Sequence, residues 1–209
     1  MSLLQRIAER ASKNPEAARK IAPKGRPAAL MLCLTLALPA AAQDRSPVET
    51  VDRVELDRYA GDWFEIARFP NRFQRRCVGD VRASYAVRPD GRLDVVNQCR
   101  TEEGLIEARG VARVVDSRTF AKLKVRFAPA FLSFLPFVWG DYWVLGLADD
   151  YGWATVGSPD REYLWILARR LTLASDDYAA ALEAARSNGF DVDRLMRTTH
   201  AGQVGSGAR

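Results

Sequence analysis

The groups in this chain that could do covalent or acid–base chemistry are few. Arg75 and Arg76 immediately precede Cys77, and flanking cations are what lower a thiol's pKa enough to make it a nucleophile. Cys99 follows after the Arg88-Pro89-Asp90-Gly91 turn, so a Cys77–Cys99 disulfide competes with the reactive-thiol reading. His200 is the single histidine and lies past the strand pattern; one imidazole makes no convincing metal site, and it reads as a surface residue. The carboxylates Asp149 and Asp150 read as turn formers. No Ser-His-Asp set, Gly-rich phosphate loop or metal-spaced cluster is present. The sequence therefore assigns no catalytic residue, no metal ligand and no cofactor site.

Charge narrows the partners. The chain has 209 residues, 31 Lys+Arg and 26 Asp+Glu. Residues 1–42 hold seven of the basic groups and two of the acids, which leaves 24 of each sign over 43–209. A body of zero net charge has no basic excess for phosphate backbones, so nucleic acid is excluded as a partner. The basic start leads into an uncharged run from Pro27 to Ala42 that ends in Pro39-Ala40-Ala41-Ala42. Its apolar part is shorter than the roughly 20 residues of a membrane-spanning helix. Charged start, short apolar core and small-residue exit predict a secretory signal over 1–42, cleaved after Ala42. Cys33 follows Met31-Leu32 rather than small residues, and is read as filler, not a lipid attachment point. Export to the periplasm or outer membrane, an oxidising setting, favours the Cys77–Cys99 disulfide.

The body must then position these groups. Residues 43–53 form a polar lead, 54–200 the folded domain, and 201–209 a disordered Gly/Ser-rich tail. Eight strand patterns follow one another without a helical crossover: 63–69, 81–87, 93–97, 105–115, 119–127, 142–148, 153–156 and 162–169. Pro and Gly in Arg88-Pro89-Asp90-Gly91 set the first hairpin turn. A helix follows, with Ser175 as the expected N-cap, Asp176 and Asp177 in its first turn, and Asn188-Gly189 as its stop. One more short strand is expected near 195–197. Eight antiparallel strands joined by short turns hide their edges by closing into an all-β up-and-down barrel, with the helix packed outside. A β-sandwich is the alternative that pattern alone leaves open.

Three segments carry a resemblance. Leu56-Asp57-Arg58-Tyr59-Ala60-Gly61-Asp62-Trp63-Phe64-Glu65-Ile66-Ala67-Arg68 resembles the G-x-W signature of the lipocalins. Asp149-Asp150-Tyr151 stands where the second lipocalin motif has Thr-Asp-Tyr, and Arg169 matches the basic residue of the third. The likeness is greatest to the bacterial lipocalin and apolipoprotein D branch. It implies that Trp63 plugs the narrow barrel end with Arg169 across its ring, a cation–π contact worth roughly 0.5–2 kcal/mol. It also makes Gly61, Trp63, Asp150, Tyr151 and Arg169 structural residues. It further implies a small lipophilic ligand, a fatty acid or lysophospholipid, held by an exported carrier. Two other readings stay open: an enzyme with Cys77 as nucleophile, and a filled barrel with a structural envelope role.

Alternation then predicts the bore. Ala121, Leu123, Val125 and Phe127 face inward, and Lys122, Lys124 and Arg126 outward. Tyr85, Val95, Asn97, Tyr142, Val144 and Trp165 complete the expected ligand lining. Glu65 shares parity with Trp63, which sends a carboxylate inward where it needs a partner. In residues 128–139, nine of twelve are hydrophobic. The lipocalin order puts this connection at the open mouth. Either it folds in as core, or Phe131 and Phe134 form a rim for lipid access, membrane-surface contact or a homodimer.

Overall fold

The computed structural model describes residues 46–203; the expected signal segment 1–42 and the tail beyond 203 lie outside the described residues. A short helix α1 (Leu56–Tyr59) leads into β1 (Gly61–Arg68), β2 (Gly79–Val87), β3 (Leu93–Thr101), β4 (Gly104–Val114) and β5 (Lys122–Arg126). Then come β6 (Gly140–Leu147), β7 (Trp153–Gly157), β8 (Leu164–Ala168), helix α2 (Ser175–Arg186) and a two-residue β9 (Met196–Arg197). Each of β1 to β8 pairs antiparallel with the next, and β8 returns to β1. The barrel is closed, which leaves β1–β8 without a free edge.

The first hairpin follows from its turn. Gly91 adopts φ +77°, its amide donates to the Arg88 carbonyl, and the register begins at Val87↔Leu93. From there Tyr85 pairs Val95 and Ala83 pairs Asn97, which puts all four on one face. Helix α2 buries Ala181 and Ala185, small residues that let its backbone approach the sheet. Ala181 accepts a hydrogen bond at its carbonyl from the Thr155 hydroxyl (2.8 Å). Ser175 is the first helical residue rather than the cap; Ala174 occupies that position without a side-chain bond. Asp176 and Asp177 still oppose the positive helix end.

Three expectations about the chain ends change. Residues of the polar lead pack on the barrel: Val48 is buried, and the Val51 amide donates to the Val144 carbonyl (3.0 Å). His200 is not a surface residue, being 2% exposed. Residues Ala201–Gln203, expected to be disordered, form a 3-10 turn whose Ala201 amide donates to Asp80. At the C-terminal end the cause is a gap. β1 pairs β2 only from Gly61 to Phe64, and a bulge at 65–67 turns its far end away. The C-terminal segment fills that gap. Thr198 donates to the Ile66 carbonyl, Asp80 donates to the Thr199 carbonyl, and β9 pairs Ala67 and Arg68.

Candidate functional site

Alternate connections of an up-and-down barrel lie at the same end. Trp63 near the start of β1 marks one end, so the β1–β2, β3–β4, β5–β6 and β7–β8 connections all lie at the other.

The Trp63 end is filled. Trp63 is fully buried, and its indole N–H donates to the Tyr59 carbonyl (2.8 Å). The Arg169 guanidinium lies 3.9 Å from the ring centroid. Its nitrogens donate to the carbonyls of Arg58 (2.7 Å), Asp62 (2.9 Å) and Tyr59 (3.2 Å). Gly61 has φ +94°, and a Cβ there would meet Arg169 Nη1 at 3.3 Å, so a side chain would be both strained and crowded. Asp150 Oδ1 accepts from the Gly152 amide (2.7 Å), and the buried Tyr151 accepts the Glu55 amide at its hydroxyl (2.9 Å).

Above this plug three phenols meet. Tyr142 Oη lies 2.7 Å from Tyr59 Oη and 3.0 Å from Tyr85 Oη. Burial, the largest cause, raises all three phenols, Tyr85 to about 12; the hydroxyls are therefore neutral at physiological pH. Tyr85 and Tyr142 were expected to face inward. Tyr59 was not, because its alternation is hidden in a four-residue helix.

Val95, Ala121, Leu123 and Val144 are buried in the same apolar cluster, with Val125, Tyr142 and Trp165 partly buried against it. Asn97 is half-buried. Phe127 faces the bore, since its ring occupies the space a Cβ on Gly110 would take, and Gly110 pairs the inward Val95. It is nevertheless 42% exposed, because it sits past the last paired residue of β5, at the rim. Arg126, expected to face outward, is 8% exposed. Trp139 folds back so that Arg126 and Arg113 lie 5.2 and 4.4 Å from its ring centroid.

Toward the mouth, Glu65 has the partners its inward direction demands. Arg68 Nη1 donates to it (2.6 Å), Gln74 Nε2 donates to its other oxygen (2.6 Å), and the Thr198 hydroxyl also donates. Gln74 Oε1 accepts from Trp165 Nε1 (3.0 Å), so the β1–β2 connection is tied to the bore wall. The same connection is held by the Cys77–Cys99 disulfide, with Cα atoms 5.6 Å apart. Parity flagged Glu65; nothing local marks Gln74, Thr198 or His200 as its neighbours. His200 Nε2 lies 2.8 Å from the Glu65 carbonyl.

The β5–β6 connection folds as two 3-10 turns, Ala130–Leu132 and Pro136–Val138. It does not fold in as core: Phe131, Phe134 and Phe137 are 74%, 77% and 80% exposed. Phe73 of the β1–β2 connection and Leu105 beside the β3–β4 turn are exposed at the same end. A separate groove of about 960 Å³ lies on the outside, lined by Asn71, Arg72, Asp160, Tyr163, Asp191 and Arg194 among others. None of the predicted bore residues lines it.

A family model for the lipocalin-like domain matches residues 54–200. The chain is 41% identical to temperature-induced lipocalin-1 of Arabidopsis thaliana, over 74% of this chain and 84% of that protein. It is 38% identical to the outer membrane lipoprotein Blc of Escherichia coli K12, over 71% and 81%. Among solved structures, insecticyanin of the tobacco hornworm Manduca sexta superposes with a TM-score of 0.59 at 18% identity, covering 75% of this chain and 86% of that one.

Proposed function

We propose, from the premise that this chain belongs to the lipocalin family, that it is an exported carrier holding a fatty acid or lysophospholipid in its bore, in the service of envelope maintenance. The family binds small hydrophobic ligands. One observation carries the finer reading: inward-facing side chains are fully enclosed at the Trp63 end and accessible toward the mouth, as Phe127 and Trp165 are. Acyl chain seated there is stabilised by about 25 cal/mol per Å² removed from water. The exposed phenylalanines of 128–139 suit contact with a membrane surface from which lipid is taken up. Likeness to an outer membrane lipoprotein supports the periplasmic face of an outer membrane as the setting.

A carrier needs no reaction, and with its sulfur bonded to Cys99, Cys77 has no thiolate to offer. The packed base favours a second reading to a lesser degree, a filled barrel with a structural role. Native mass spectrometry of protein from its own envelope, with lipid extraction, separates the two. Co-purifying acyl lipid at about one per chain, displaceable by a fluorescent fatty acid, is the expected result. Protein that retains no lipid and takes up none overturns the carrier reading. A stable dimer that Phe131→Ser with Phe134→Ser dissolves, without change in vesicle binding, makes the rim a homodimer interface instead.

A further inference from the structure

Among the described residues facing the bore, Arg68 at Nε and Asn97 at its carboxamide keep an enclosed polar atom without a partner, and of the two only Asn97 is uncharged. Asn97 stands on β3, paired with Ala83 of β2 and Ala108 of β4. Its carboxamide makes no hydrogen bond with any described residue, and one of its polar atoms is enclosed. An enclosed amide without a partner disfavours the folded state, whereas an apolar side chain of the same shape would not. The side chains paired on either side of it are only methyl groups. Its face is shared with Val95 and Tyr85, one pair nearer the closed end.

The tyrosine cluster beside that pair is also incomplete. Three hydroxyls carry three protons but share two O···O contacts, 2.7 and 3.0 Å. One O–H is therefore always left without an acceptor within the cluster. Tyr142, common to both contacts, is the least buried of the three.

We propose, resting on the lipid-carrier reading, that Asn97 is a specificity-determining residue. It selects lipids bearing an uncharged hydroxyl within the aliphatic part over the unsubstituted chain. A hydroxyl both donates and accepts, which matches an unpaired carboxamide, itself both donor and acceptor. A carboxylate does not match. The charge of the inward cation Arg68 is offset by Glu65 through Nη1, and the positions flanking Asn97 are alanines. With the charged head group at the mouth, Asn97 faces the chain.

The test compares stearate with hydroxystearates carrying the hydroxyl at different mid-chain carbons. Each competes against a fluorescent fatty acid on delipidated wild type, Asn97→Leu and Asn97→Val. One hydroxyl paired in a water-poor site corresponds to about a tenfold preference for the best hydroxystearate in wild type. Both variants should lose that preference, so that each binds stearate and the best hydroxystearate within about twofold of one another, and unfold at higher denaturant because an unpaired amide is gone. Equal wild-type affinity for all the lipids, or a preference that survives both substitutions, overturns the proposal and leaves the carrier reading standing. Wild type that binds neither stearate nor its hydroxylated forms removes the carrier reading, and this proposal with it.

Discussion

The closed and open ends of this barrel are made by the same eight strands, yet they treat polar groups differently. At the closed end the plug's indole and guanidinium have protein acceptors: Trp63 reaches Tyr59, and Arg169 reaches three carbonyls while covering the indole. Toward the open end Asn97 and Arg68 Nε are enclosed without partners, and large apolar side chains stand in solvent. A protein stabilises a fold by satisfying its groups internally; groups left over at one end are what a ligand or surface can complete. On the proposed carrier reading, stability is concentrated at one end and binding at the other.

Breaking the closed end should have the largest effect. Trp63→Ala removes a fully buried indole, and equilibrium urea unfolding should register a loss of about 3–5 kcal/mol. Ligand preference per folded molecule should be unchanged. A stable variant with altered preference would mean that Trp63 lines the pocket and that the division of labour is wrong.

The disulfide ties the β1–β2 connection at the open end. Its loop spans a sequence separation of 22, and replacing both cysteines by serine should cost about 3 kcal/mol on the chain-entropy account. Hydrogen exchange should rise in residues 69–78 and hardly at all around Trp63. Equal exposure of both ends would show that the two regions unfold together.

A pH titration probes the boundary between them. Tyr59, Tyr85 and Tyr142 have raised folded pKa values, so the protonated form is the one the fold favours. Their contribution is fully present below the ordinary phenol value near 10 and is lost as pH rises through the folded values, about 12 for Tyr85. Absorbance at alkaline pH should show the three buried phenols titrating only above the ordinary range, together with unfolding. Ionisation of all six tyrosines in one step near pH 10 would mean that solvent reaches the cluster freely.

The smallest stability change belongs to the rim. Phe131→Ser with Phe134→Ser should cost no more than about 0.5 kcal/mol per site, since both side chains are solvent-exposed. Binding to lipid vesicles should nevertheless weaken. A loss of several kcal/mol with unchanged lipid binding would assign the loop to the core.

Periodicity and turn chemistry made most of the architecture legible. The period-two runs identified all eight barrel strands, because alternation is what a half-buried strand requires. Pro89 and Gly91 marked the first hairpin, and the apolar–polar spacing after Ser175 marked the helix. Lining residues such as Val95 and Leu123 were legible for the same reason, since parity is local. Boundaries were less so: Phe127 keeps inward parity, yet β5 ends one residue earlier.

What the amino-acid sequence determined alone is whatever depends on neighbours along the chain: strand parity, turns, the Trp63 signature and the apolar connection at 128–139. What only the tertiary structure decided depends on residues far apart meeting. The bulge at 65–67 opens a gap that residues 198–201 fill, burying His200 against Glu65, 135 positions away. Tyr59 joins Tyr142 across 83 positions. Alternation told that Asn97 points inward, but whether a partner awaits it is a question about all the other strands at once. No local pattern encodes the absence of a partner, because satisfaction of a buried polar group is a property of the closed barrel.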